Sequence, residues 1–151
     1  MIRTVLKYML IAVIVLSVAG CKRAPPEQRL RDTIAAMQKG VESGSPADFM
    51  EAVSPEFVGN EGVDRAGLER LVKAQLLLNS KVSVQTGPIA IEMAADNKTA
   101  TVRFSALLVG GTGGLLPVRG DMQEIQTGWR DEDGQWRVYS ASWGPVGGER
   151  G

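Results

Sequence analysis

Few side chains in this sequence could carry acid-base or covalent chemistry, and the missing ones matter most. The 151 residues include no histidine and a single cysteine, Cys21. Without histidine the chain lacks the usual general base, the commonest metal ligand and the usual partner of a nucleophilic Ser or Cys. With one cysteine it forms no internal disulfide. The remaining candidates are acidic. Asp121 stands at the start of a strand-like run and could act as a carboxylate base with a modestly raised pKa. It has no identifiable oxyanion donor, and as an isolated acid it reads more simply as a solvated residue. Asp131, Glu132 and Asp133 bring several oxygens together, but a tight turn cannot wrap them around the roughly 6–8 ligand positions of calcium, so a solvated turn is expected. The glycine-rich run from Gly110 to Gly114 is followed neither by a Gly-Lys-Ser/Thr signature nor by the start of a helix, so it reads as a connection rather than a phosphate cradle. No cofactor and no metal site is implied.

Charge narrows the partners. The chain has 17 basic and 17 acidic side chains. Setting aside residues 1–20, with Arg3 and Lys7, leaves 15 basic against 17 acidic, a net of −2. No basic patch suggests nucleic acid. The length suits one domain with one core.

The N-terminus carries the clearest signal. Arg3 and Lys7 precede an uncharged apolar run from Tyr8 to Val18, too short for a comfortable span of about 20 residues and matching a secretory h-region of roughly 7–15. Val18-Ala19-Gly20-Cys21 then resembles the lipobox of bacterial lipoproteins, in which small residues flank the cut and the cysteine becomes the acylated N-terminus. The resemblance implies a signal peptide over residues 1–20, lipidation at Cys21, and a membrane partner reached through the acyl chains. An uncleaved anchor with an incidental cysteine is the alternative. Lys22, where inner-membrane family members usually carry Asp, implies the periplasmic leaflet of the outer membrane. Residues 21–26, with Pro25-Pro26, form a short extended tether.

The elements that would position a site follow in order. Leu30, Ile34, Met37 and Val41 make one stripe of an amphipathic helix ending at Gly40 or Gly44. Ser45-Pro46-Ala47-Asp48 restarts a helix with Ser45 as cap, and Ser54-Pro55 stops it. A loop through Phe57 leads to a third helix, capped by Asp64, with the stripe Leu68, Leu71, Val72 and Leu76. The period then changes to two: Val82 and Val84, a break at Gly87-Pro88, then Ile89, Ile91 and Met93. A turn at Asp96-Asn97 pairs Met93 with Ala100, Ile91 with Val102 and Ile89 with Phe104. Two long strands close the domain, about Asp121–Arg130 and Gln135–Trp143, and residues 144–151 read as a tail. Asp133-Gly134 between β-formers is a strong hairpin signal. A four-residue turn would set Trp129 opposite Trp136, Thr127 opposite Val138 and Ile125 opposite Ser140, with Gln123, Thr127, Ser140 and Ser142 as the polar inward side chains and Tyr139 on the other face.

Helices first and a paired sheet last make an α+β order over residues 27–143. With its Asp133-Gly134-Gln135-Trp136-Arg137-Val138 hairpin, the chain resembles the NTF2-like, SnoaL-like superfamily. That resemblance implies N-terminal helices packed on a curved antiparallel sheet, a cone that can enclose a pocket; a cystatin-like α+β sheet is the alternative. Family enzymes place Asp, His or Tyr in the cone, a pattern this chain departs from. The expected function is therefore a non-enzymatic module that binds a small apolar ligand or an envelope protein, with Val102, Phe104, Leu108, Gln123, Ile125, Thr127, Trp129 and Trp136 as the candidate pocket. An isomerase- or hydratase-like enzyme of the same fold is the alternative.

Overall fold

The computed structural model describes residues 23–78, 82–110 and 122–147. Cys21 and the leader, Asp121, and the connection from Gly111 to Pro117 lie outside them. Helix α1 spans Pro26–Glu42 and α2 Pro46–Glu51. Gly44, at φ +73°, is the left-handed residue that closes α1, and the N–H of Ser45 reaches back to the carbonyl of Gly40 at 2.8 Å. The Ser45 hydroxyl accepts from the N–H of Asp48, the expected cap of α2. Asp64 caps α3, Arg65–Leu78, by accepting from the N–H of Gly67 at 2.7 Å.

Three helices do not precede the first strand, as the periodicity suggests they would. The stretch around Phe57 is strand β1, Val53–Val58, and it pairs in parallel with the last strand. The sheet is therefore mixed rather than antiparallel throughout. Pro55 hides this strand from sequence reading because it cannot donate to a ladder, and it is tolerated because β1 is an edge strand whose register slips between Val53 and Val58.

Strands β2 Val82–Thr86, β3 Ala90–Met93, β4 Thr99–Gly110, β5 Gln123–Glu132 and β6 Gln135–Pro145 complete a six-stranded sheet in the order β1-β6-β5-β4-β2. One edge of β4 is shared: its first half pairs with β3 and its second half with β2. The break falls at Gly87, where an added Cβ would lie 2.4 Å from the Ser105 hydroxyl. The expected pairs Met93 with Ala100 and Ile91 with Val102 are present, whereas Ile89 stops short of β3.

The closing hairpin differs from expectation in register. Its turn has two residues, Asp133 and Gly134, at φ +53° and +86°, so Glu132 faces Gln135, Asp131 faces Trp136 and Trp129 faces Val138. Two positive φ angles fit the right-handed strand twist better than a longer turn. The Asp131 carboxylate fastens the turn by accepting from the N–H of Gly134 at 2.6 Å. A slip of two residues keeps side chains on their faces, so Trp129 and Trp136 still point into the core, each 3% exposed.

Beyond Trp129 a β-bulge changes the faces. Gly128 pairs with Ser140 while Trp129 pairs with Val138, leaving Tyr139 as the extra residue. Thr127 consequently faces Ala141 and Ile125 faces Trp143. Ser140 and Ser142 therefore take the outer face, against expectation, and Ala141 and Trp143 take the inner one. Tyr139 also lies outside, under the guanidinium of Arg130 at 5.4 Å from the ring centroid.

The core lies between α1, α2 and the inner face of the sheet, around Leu30, Met50, Val53, Phe57, Val102, Trp129, Trp136 and Val138. Trp136 stitches the hairpin to α1 by donating to the carbonyl of Pro26 at 3.0 Å. Leu68 of α3 packs against this cluster, but Leu71 remains 48% exposed, so the α3 stripe is narrower than its sequence suggests.

Candidate apolar ligand cavity

The inner face of the sheet is built in rows across β4, β5 and β6. One row is Ala100, Trp129 and Val138; the next is Val102, Thr127 and Ala141; the third is Phe104, Ile125 and Trp143. The middle row is made of small side chains between rows containing Trp129 on one side and Phe104, Ile125 and Trp143 on the other. Space remains between this wall and the helices. A cavity of about 270 Å³ fills it, covered by Ile34, Met37, Gln38 and Val41 of α1, Phe49 of α2, Phe57 of β1 and Leu68 of α3, with Thr86 and Ile89 at its side. The stripe at positions 34, 37 and 41 puts the apolar edge of α1 on this space.

All three phenylalanines and two of the three tryptophans of the chain line the cavity. Among the described residues that line it, none is ionisable. Its polar members are Gln38, Thr86 and Thr127, and Thr127 is occupied: its hydroxyl accepts from the Trp129 indole N–H at 2.7 Å and donates to the carbonyl of Val102 at 3.4 Å. A charge brought into such a space would meet no compensating group, whereas an uncharged apolar molecule would exchange water for aromatic contacts. The volume lies just below the roughly 300–1,000 Å³ usual for ligand sites, so the space suits a small molecule.

The residues expected to form the pocket divide. Phe104, Ile125, Thr127 and Trp129 line the cavity. Val102 is fully buried beneath it. Trp136 belongs instead to the α1–hairpin contact and edges an open cleft of about 410 Å³ together with Arg29, Asp32, Asp48 and Glu51. Gln123 pairs with Ala106 and Pro145 on the same face without lining the cavity. Of Leu108 only the backbone pairing with Val84 is described. The helical contributors Ile34, Met37 and Val41 carried a signal in the α1 stripe, since that stripe had to face the sheet. Ala141 and Trp143 carried none, because the bulge alone brings them inward.

The acidic turn is not simply solvated. Strand alternation sends Asp131 to the inner face, where Arg29 of α1 meets it at 3.3 Å, and Glu132 to the outer one. Glu132 accepts from the Ser54 hydroxyl at 2.7 Å and pairs with Arg130 at 2.6 Å and Arg137 at 3.4 Å. Burial pushes its carboxyl up, but these hydrogen bonds and guanidinium charges outweigh burial and hold it below the usual value. Two neighbouring carboxylates on opposite faces of a strand cannot grip one ion together. Asp133 is exposed.

No protein-family model matches the sequence, and no curated protein does. Solved structures match its fold. An NTF2-like protein with a cystatin-like fold from Novosphingobium aromaticivorans is 15% identical, with TM-score 0.65, over 95% of this chain and 92% of that one. A scytalone dehydratase-like protein from the same species is 13% identical, with TM-score 0.62, over 79% and 83% of the two chains. Bd1075 of Bdellovibrio bacteriovorus is 11% identical, with TM-score 0.67 over 81% of this chain, which spans only 41% of that protein. The fold is α+β of the NTF2-like, cystatin-like kind, with helices packed against a mixed sheet.

Proposed function

We propose that this domain is a binding module that takes one small, uncharged apolar molecule into the cavity between α1 and the sheet. The observation that carries the reading is the lining itself: among the described residues, five aromatic side chains and no ionisable group surround about 270 Å³. Amides and hydroxyls orient a ligand, but their pKa values lie too far from neutrality for general acid-base catalysis. The lipobox resemblance adds a place of work, with acyl chains on Cys21 holding the domain at the periplasmic leaflet of the outer membrane. One buried acyl chain holds only marginally, and several hold firmly.

Titration of the full chain with the uncharged fluorophore N-phenyl-1-naphthylamine tests the binding. Saturable uptake at one site per chain, displaced by unlabelled apolar competitors, is expected; uptake that never saturates would overturn the reading. For the anchor, Cys21→Ser should abolish incorporation of a fatty-acid label and leave the precursor uncut. Label persisting in the Ser variant would remove the lipoprotein assignment.

A second reading, an isomerase- or hydratase-like enzyme of this fold, draws on the scytalone dehydratase-like neighbour. Turnover of a ketosteroid or polyketide-like substrate by the full chain, lost in Asp121→Asn, would replace the binding module with that enzyme.

A further inference from the structure

One wall of the cavity is held by an arrangement unlike the rest. Trp143 is part-buried, where Trp129 and Trp136 are almost wholly buried, and it stands near the end of β6, three residues past Ser140, the last β6 position paired with β1. A side chain completes the ladder there. The Asn60 carboxamide donates to the carbonyl of Trp143 at 2.6 Å and accepts from its N–H at 3.2 Å, taking both backbone groups as a neighbouring strand would.

Asn60 sits in the 3₁₀ turn Asn60–Gly62, closed by the Gly59 N–H on the carbonyl of Val63 at 2.7 Å and the Val63 N–H on the carbonyl of Asn60 at 3.1 Å. The residue before it is bare for a reason. A Cβ on Gly59 would lie 3.0 Å from Cη2 and 3.1 Å from Cζ3 of Trp143, and 3.2 Å from Cε1 of Phe57. The far edge of the indole therefore rests on backbone, while Trp143 and Phe57 both line the cavity.

We propose that Trp143 sets the size of ligand the cavity accepts, and that Gly59 and Asn60 are the positioning residues that hold its indole in place. This rests on the cavity being a ligand site. The Asn60 clasp fixes the backbone of Trp143 and the gap at Gly59 receives its ring. A methyl group at Gly59 takes that gap, and the ring it crowds is a wall of the cavity.

The test compares Trp143→Ala, Gly59→Ala and Asn60→Ala in the full chain, with two uncharged ring probes of different size, toluene and N-phenyl-1-naphthylamine. Trp143→Ala should shift the affinity ratio toward the larger probe, and Gly59→Ala toward the smaller, each by about tenfold, the low end of what one methylene decides in an apolar pocket. In ligand-free protein the Trp143 indole N–H resonance, assigned by its loss in Trp143→Phe, should move in Gly59→Ala and in Asn60→Ala. Should Gly59→Ala not fold, Trp143→Ala still tests the selector through the probe ratio, and Asn60→Ala still tests the clasp through the indole signal. Binding with an unchanged ratio in Trp143→Ala would overturn the selector role, and an unmoved indole signal in Asn60→Ala would overturn the clasp. If neither the parent chain nor any variant binds either probe, the ligand site itself fails and the selector with it.

Discussion

Thr127 and Ala141 face each other across β5 and β6, and this pair of small side chains keeps the wall of the cavity shallow between Trp129 and Trp143. The pairing depends on the bulge at Tyr139, without which Ser140 would stand in place of Ala141. Leucine at position 141 should project into the open space rather than into packed atoms. Ala141→Leu is expected to lower the affinity for N-phenyl-1-naphthylamine by at least about tenfold. Its melting temperature should stay level or rise, as filling a void commonly stabilises by roughly 0.5–2 kcal/mol. Equal loss of binding and stability would place Ala141 in a packed core instead.

The bulge can be tested on the outer face. An added Cβ at Gly128 would lie 2.4 Å from the Ser140 hydroxyl and 3.0 Å from Cζ of Tyr139. Gly128→Ala should therefore destabilise by about 1–3 kcal/mol, the usual cost of overpacking. Ser140→Gly in the same chain should recover part of that loss, a coupling readable in a double-mutant cycle of denaturant melts. Strictly additive losses would mean that Gly128 and Ser140 are not partners.

These two tests probe what the sequence did not disclose. The stripe of α1, the caps at Ser45 and Asp64, and the pairing of Met93 with Ala100 and Ile91 with Val102 could be read directly, because periodicity and capping are local properties. Trp129 could be assigned to the cavity wall although the turn has two residues rather than four, since a two-residue slip preserves sidedness. Trp143 could not, because the extra residue at Tyr139 exchanges the faces of everything after it and no local pattern announces it. Strand β1 was hidden by Pro55 and by a partner more than seventy positions away. Asp131 looked like part of a solvated turn until α1 placed Arg29 beside it.

Trp136 and Trp143 should differ sharply in their cost to stability. Trp136 is 3% exposed and tied to α1 through the carbonyl of Pro26, so Trp136→Ala should lose about 3–5 kcal/mol, a large share of a small domain's stability. Trp143 is part-buried against a cavity, so truncation removes fewer contacts there. Chemical denaturation of both variants should give the smaller shift for Trp143→Ala. A reversed order would mean that the closing hairpin, rather than its far end, borders the open space.

The outer cluster around Glu132 predicts an acid limb in the stability of the fold. In the folded chain burial raises the Glu132 carboxyl, but the Ser54 hydrogen bond and the Arg130 and Arg137 charges outweigh it, so the net position is below its ordinary 4.5. The unfolded chain then binds a proton at higher pH than the folded one. A depressed carboxyl contributes stability that is complete above the ordinary value and is lost as pH falls through the lowered one. Stability measured by urea denaturation should accordingly decline as pH drops below about 4.5. In Glu132→Gln, which cannot ionise, the plateau near neutrality should be lower and the decline shallower. Ser54→Ala removes the hydroxyl that donates to Glu132 at 2.7 Å, which moves the folded carboxyl back toward its ordinary value, so its acid limb should be smaller and should end at a higher pH than that of the parent chain. An acid limb of unchanged slope and position in both variants would mean that Glu132 is solvated in the folded protein.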